Sequence, residues 1–338
     1  MNDRYSRQEL FHPIGKQGQA KIREKSVLIV GAGALGASSA EALTRAGVKR
    51  LVLVDRDYVD WTNLQRQQLY SEEDARDQLP KVIAAKNRLE MINRDVEIQT
   101  HVMDMGIEEA EELISGIDLV MDATDNFETR LMINDLAQKH QVPWIYGACV
   151  GSYGISYTIL PGEGPCLNCL LDKIPANGQT CDTVGIIAPA VQMVVAYQTA
   201  EALKILVEDY QAVRKKIVTF DLWENQHMQL GMEKAKKEDC PSCGANPTYP
   251  YLKRATELKT AVLCGRDTVQ IRPPNNREID LEEMERRLGS QGKIRRNPYL
   301  LEVESDSRRF VLFKDGRALV HGTKNTAEAK SIYHRFIG

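Results

Sequence analysis

The chain has 338 residues, with 44 Lys and Arg against 47 Asp and Glu for a net charge of −3, and 43% hydrophobic residues. That length supports a large core and about two domains, and the near-neutral charge removes the electrostatic case for a nucleic-acid binder. Seven cysteines, an odd number with no secretory signal peptide before them, argue against a disulfide scaffold and for a cytoplasmic protein.

Ser26-Val-Leu-Ile-Val30 predicts a short buried strand, and Gly31-x-Gly33-x-x-Gly36 then opens a helix from about Ala34 to Ala46. A strand over Arg50–Asp55, a helix over Lys81–Ile92, a strand over Asp118–Asp122, a helix over Thr129–His140 and a strand over Pro143–Tyr146 follow. This alternation predicts an α/β, Rossmann-like, mostly parallel sheet covered on both faces. The segment Gly151–Pro161, alternating through Ile155–Leu160, begins an antiparallel continuation. Ile186–Val207 is the most apolar long stretch, but Gln192, Gln198, Glu201 and Lys204 interrupt it, so it reads as a core helix and not a membrane span. Its stripe Val191, Val194, Val195, Gln198, Ala202 and Ile205 is core or dimer interface. Beyond about residue 250, strands over Thr260–Arg272, Tyr299–Val303, Arg309–Phe313 and Arg317–His321 and helices over Asp280–Leu288 and Asn325–Phe336 predict a small α+β domain. The expected domains are therefore 1–248 and 249–338. The second carries more Lys and Arg than Asp and Glu, which suits either docking of an acidic partner or a stabilising role.

Chemistry enters with two Cys-x-x-Cys pairs, Cys166/Cys169 and Cys240/Cys243. Two such pairs can close a four-thiolate structural zinc site, and their separation of about 70 residues makes it a clip between distant segments, not a small finger. A redox dithiol, or four unligated thiols, is the alternative. In the glycine fingerprint, Gly31 permits the turn, Gly33 lets a phosphate approach backbone amides and Gly36 lets helix and strand pack closely. Asp55 ends the next strand, where an acidic side chain can hold ribose hydroxyls. Taken alone these features indicate a nucleotide, most often NAD. Asp57, Asn63, Arg66, Lys81, Asp125 and Asn126 change that balance. Hydride transfer has no use for two cations and a carboxylate near the phosphates, whereas Arg66 and Lys81 can neutralise phosphate charge and Asp125 can hold magnesium. Cys149 reads as a buried small residue, Cys264 as a strand residue, Trp61 as a structural anchor, and the six histidines as scattered side chains without metal-ligand spacing.

Arg7-Gln8, Gly31-Ala-Gly-Ala-Leu-Gly36, Asn63-Leu-Gln-Arg-Gln67, Pro80-Lys81, Ala123-Thr-Asp-Asn126 and the two cysteine pairs, in that order, resemble the bacterial ThiF/MoeB/HesA adenylyltransferases. These are relatives of the ubiquitin-activating enzymes, and the resemblance covers roughly residues 1–248. It implies ATP-dependent adenylylation of the C-terminal Gly-Gly carboxylate of a ubiquitin-fold sulfur-carrier protein, with ATP, Mg2+ and Zn2+ as cofactors. Asp55 would bind the ribose, Asn63, Arg66 and Lys81 the phosphates, and Asp125 magnesium. Arg7 would reach ATP in the partner subunit of a homodimer. Cys181, in Gln179-Thr-Cys-Asp-Thr-Val-Gly185, matches the family's motif cysteine and would take part in sulfur transfer from a donor such as a cysteine desulfurase; a bystander thiol is the alternative. The C-terminal extension favours a ThiS-like carrier and thiamine biosynthesis over a MoaD-like carrier and molybdopterin. An NAD-dependent oxidoreductase with structural zinc, a non-catalytic carrier-binding scaffold and a peptide adenylyltransferase are the competing readings.

Overall fold

The computed structural model describes residues 3–171, 184–253, 259–263, 267–273, 278–289, 291–305 and 308–337; Cys181 and Cys264 lie outside them. The chain forms two compact units, one of residues 1–76, 80–179 and 185–253, the other of 77–79, 180–184 and 254–338.

The first unit opens with two helices, α1 (Ser6–Glu9) and α2 (Gly15–Ile22), and then alternates β1 (Ser26–Val30), α3 (Ala34–Ala46), β2 (Arg50–Asp55), α4 (Glu72–Arg76), α5 (Lys81–Ile92), β3 (Glu97–Val102), α6 (Ile107–Leu113), β4 (Leu119–Asp122), α7 (Phe127–His140) and β5 (Trp144–Val150). After β6 (Tyr153–Ile159) and α8 (Leu167–Leu170) come α9 (Ala188–Leu206), β7 (Lys216–Asp221) and β8 (Gln226–Gly231). The eight strands stand in the order β3-β2-β1-β4-β5-β6-β7-β8. Neighbours from β3 to β5 are parallel, and those from β5 to β8 antiparallel. All five residues of β1 are buried, as a central strand covered on both faces requires. Strand order reverses at β1: the chain builds outward to β2 and β3, then returns to β4 on the other side. A crevice therefore opens beyond the C-terminal ends of β1 and β4, the usual ligand position in such a sheet. The expected stripe on α9 is buried throughout, and Gln198 within it donates to the Asp122 carbonyl at 2.9 Å.

The second unit is a six-stranded antiparallel sheet in the order β11-β12-β13-β14-β10-β9, built from β9 (Lys259–Leu263), β10 (Thr268–Arg272), β11 (Lys293–Arg296), β12 (Leu300–Ser305), β13 (Arg308–Phe313) and β14 (Ala318–His321). Helices α10 (Leu281–Leu288) and α11 (Thr326–Ile337) supply Leu281, Met284, Leu288, Ile332, Tyr333 and Phe336 to one core with Val269, Leu301, Phe310 and Val320.

Three expectations need correction. Thr260–Arg272 is two strands and not one, folded so that Leu263 pairs with Thr268. Cys149 lies inside β5 and is half-buried, because β5 continues past Tyr146 to Val150. Trp61 is 54% exposed, not buried as a structural anchor would be. Among the described residues, no helix is long and apolar enough to cross a membrane.

Candidate active site

The turn after β1 shows why each glycine stands where it does. Gly31 has φ +95°, and a Cβ there would lie 2.4 Å from the Ala123 carbonyl oxygen. At Gly36 a Cβ would come to 1.8 Å from the Gly31 carbonyl oxygen, so only glycine lets α3 start so close to its own strand. Gly33 is different. It has ordinary extended backbone (φ −73°, ψ −152°), and a Cβ there would meet only Gln67 Nε2, at 3.9 Å. Among the described residues nothing presses on a side chain at 33, and the space in front of it is open. No side chain caps the first amides of α3, which leaves them directed at that space. Gly36→Ala is accordingly expected to give little folded protein. Gly33→Ala is expected to fold and melt within about 2 °C of the parent while binding ATP about tenfold or more weakly, read by thermal melting and calorimetry.

Around this turn lie the charges the motifs nominated. Asp55 accepts from the Ala32 N–H at 2.6 Å and the Asp57 N–H at 2.7 Å, tying the glycine turn to the end of β2. Burial pushes its carboxyl up from the usual range, with Lys81 opposing and Asp57 adding to the shift. Lys81, the first residue of α5, is only 5% exposed, and its Nζ meets Asp57 Oδ2 at 3.1 Å. Asn63 is fully buried: its Oδ1 accepts from the Asp60 N–H at 3.1 Å, while among the described residues Nδ2 has no hydrogen-bond partner, and neither has Gln67 Oε1. Arg66 is half-buried and folds back, Nη1 donating to the Thr62 carbonyl at 2.9 Å. An open glycine turn, uncapped helix amides, a buried amide with unused hydrogens and a deep ammonium form a donor set suited to phosphate oxygens.

Asp125 and Asn126 follow β4. Asn126 caps α7 by accepting from the Thr129 N–H at 2.9 Å, and Asp125 is exposed. Sequence reasoning missed what holds this turn. Arg130 is buried, with Nε 3.0 Å from Asp122 Oδ2 and Nη2 2.6 Å from the Thr124 carbonyl oxygen, while Asp122 Oδ1 accepts from the Thr124 N–H and hydroxyl. The pair raises the Arg130 guanidinium above its usual range despite burial, which pulls the other way. The signal was present: Arg130 stands four residues after the cap Asn126, the spacing that turns a side chain back toward the strand end.

Arg7 is not brought to the others within the chain. It is exposed on α1, and that segment is fixed at the C-terminal end of α3, with Gln8 Nε2 donating to the Ala46 carbonyl at 3.1 Å and Tyr5 against Gly47. A helix of 13 residues separates that point from Gly33, about 20 Å along the axis.

The four cysteines converge, every sulfur within 4.8 Å of the other three. Cys166 and Cys240 are 3.6 Å apart, Cys169 and Cys243 3.5 Å, and Cys166 and Cys169 3.9 Å. A tetrahedral zinc with bonds of about 2.3 Å sets its sulfurs about 3.8 Å apart, so the cluster fits that ion. Contact between them pulls the Cys169 thiol down and pushes Cys166 up. Behind the sulfurs, Asn134 of α7 accepts from the Leu167 N–H at 2.8 Å, and Asn168 donates to Ser242 at 2.9 Å, joining both knuckles to the core.

A model described as the ThiF family matches residues 5–242. A sulfur carrier protein ThiS adenylyltransferase of Bacillus subtilis (strain 168) is 51% identical over 340 residues, spanning 100% of both chains. Another protein of that name, from Escherichia coli (strain K12), is 34% identical over 256 residues, covering 74% of this chain and 100% of its own. A sulfur carrier protein adenylyltransferase of Thermus thermophilus is 35% identical, covering 74% of this chain and 93% of its own. Among solved structures, E. coli MccB with ATP superposes with a TM-score of 0.62 at 22% identity, covering 72% of this chain and 74% of that one, a likeness of fold.

Proposed function

This chain belongs to the ThiF family, and on that premise we propose that it is an adenylyltransferase using ATP to activate the C-terminal Gly-Gly carboxylate of a ubiquitin-fold sulfur carrier, ThiS-like in preference to MoaD-like. The observation that carries this reading is the glycine turn at Gly33, where only Gln67 Nε2 stands within 4 Å of a Cβ position, tied through Asp55 to the end of β2, with Lys81 buried against Asp57. A glycine turn of this kind would hold the pyrophosphate of NAD equally well; the adenylyltransferase relatives, one of them 51% identical over the whole chain, favour ATP, and the oxidoreductase reading is set aside.

In the reaction, a carboxylate oxygen of the carrier forms a bond to the α-phosphorus as the bond to the bridging oxygen breaks and pyrophosphate departs. Two anions must approach, so fixed positive charge lowers the barrier. Lys81 would supply it from a position with little water around it, where Coulomb attraction is strong, and Asn63 and Arg66 would hold phosphate oxygens. Asp55, Asp57 and Asn126 would line the nucleotide, with Asp55 toward the ribose. Asp125 would hold magnesium, which would neutralise phosphate charge there. Because Arg7 is anchored at the far end of α3, it would serve the partner's site in a homodimer. Cys181 would receive or pass sulfur from a donor such as a cysteine desulfurase, and zinc on the four thiolates would be structural.

The test is ATP–pyrophosphate exchange with purified protein, magnesium and each carrier separately. Exchange with a ThiS-like carrier alone is the expected result. Exchange with a MoaD-like carrier alone would move the enzyme to the other pathway, and exchange with neither would overturn the reading.

A further inference from the structure

The glycine turn is held from behind by two side chains of its own unit. Asp55 takes the Ala32 N–H at 2.6 Å, and the Tyr70 hydroxyl donates to the Ala32 carbonyl, also at 2.6 Å. Ala32 is 2% exposed and Tyr70 7%, so little water competes for either bond. Tyr70 is delivered by the segment that follows Asn63. There the Gln67 N–H donates to the Asn63 carbonyl at 3.0 Å, and the Tyr70 N–H to the Gln67 carbonyl at 3.1 Å. Burial pushes the Tyr70 phenol well above its usual range, with Asp55 and Asp74 adding to the shift, so the hydroxyl keeps its proton to donate.

A trans peptide is planar, and its N–H points opposite to its C=O. With the Ala32 carbonyl turned inward to Tyr70, the Gly33 N–H of the same peptide is turned away from it. Among the described residues that N–H has no acceptor. Glycine is also the residue at which this direction is least secure. Gly33 has φ −73°, but a rotation of the Ala32–Gly33 peptide that carried φ into positive values would meet no Cβ penalty. The rotated peptide would face an incoming phosphate with a carbonyl oxygen in place of an N–H. It would also strand the buried Tyr70 hydroxyl without its acceptor, which is costly.

We propose that Tyr70 is a positioning residue for the nucleotide phosphates: by holding the Ala32 carbonyl inward, its hydroxyl keeps the Gly33 N–H turned out as a phosphate donor. The inference rests on the adenylylation reading for the identity of the nucleotide, and on the hydrogen bonds alone for the direction of the peptide.

Tyr70→Phe in the full chain keeps the ring and removes the donor. Binding of ATP and of adenosine to parent and variant is compared by calorimetry, well below the melting temperature. The dissociation constant for ATP is expected to rise about tenfold and that for adenosine to stay within about twofold, because adenosine carries no phosphate to meet Gly33. An equal loss for both ligands would make Tyr70 a support of the fold or of the ribose end, and an unchanged ATP affinity would leave the hydroxyl without this task; either result overturns the proposal. Should Tyr70→Phe fail to fold, the parent decides. With its glycines labelled with 15N, the Gly33 amide resonance should shift on addition of ATP and not of adenosine, and a Gly33 amide unmoved by ATP would refute the proposal. ATP binding by the parent without pyrophosphate exchange on any carrier would defeat the adenylylation reading alone and leave this comparison intact.

Discussion

Asp125→Ala is expected to lower ATP–pyrophosphate exchange about a thousandfold while leaving the melting temperature where it was. The loss is of the size seen when one charge-stabilising group is removed from a preorganised site. The stability expectation follows from exposure. Asp125 is solvent-facing, and its one described hydrogen bond, from Asn126 Nδ2, is long at 3.3 Å. Surface changes of that kind stay within about 0.5 kcal/mol. The turn itself is held by hydrogen bonds among Asp122, Arg130 and Thr124 that the substitution leaves in place, its cost being only the attraction of Asp125 for the Arg130 and Arg56 guanidiniums. Added magnesium should not restore the rate at concentrations that saturate the parent. Normal turnover would show that Asp125 is not the magnesium ligand.

Cys240→Ser should act in the opposite sense, on stability before chemistry. Cys240 is 2% exposed, and its sulfur lies 3.6 Å from Cys166. A serine oxygen at that place reaches less far and binds zinc poorly beside three thiolates, so metal affinity drops and the folding free energy linked to it is lost. A fall in melting temperature of about 10 °C or more is expected, with zinc content dropping below one per chain by elemental analysis. Full zinc content in the variant would refute four-thiolate ligation. Because α7 is tied to the knuckles through Asn134, amide exchange in α7 should quicken as well.

The first half of the fold was legible where burial is two-sided. Ser26–Val30, Ala34–Ala46, Arg50–Asp55 and Lys81–Ile92 have the predicted bounds, because a continuous apolar run or a marked helical period leaves few alternatives. Edge strands gave no such signal. β3 reads Glu-Ile-Gln-Thr-His-Val with only Ile98 buried on its apolar face, and in β8 the alternating Met228 and Leu230 are exposed, so each apolar pattern is too short and too weak to mark a strand. Site residues were legible as types and not as partners. The ion pair of Asp57 with Lys81 spans 24 positions, and nothing in either neighbourhood announces the other. Arg130 went unnoticed because a buried arginine looks like any surface arginine until its carboxylate is located. Gln78, two residues past the end of α4, ends that helix at φ +50° without the glycine that would have marked the stop in sequence.

The cysteine clip also has a consequence for the order in which a newborn chain matures. Cys169 and Cys243 are 74 residues apart, and α9, β7 and β8 all lie between them. At about 5–20 residues per second, a ribosome delivers the second knuckle roughly 4–15 s after the first. For that interval Cys166 and Cys169 form only half a ligand set, and a half set holds zinc weakly. A zinc ion on all four thiolates would therefore be captured only once the chain from Cys166 to Cys243 has been made, a latch that would close last.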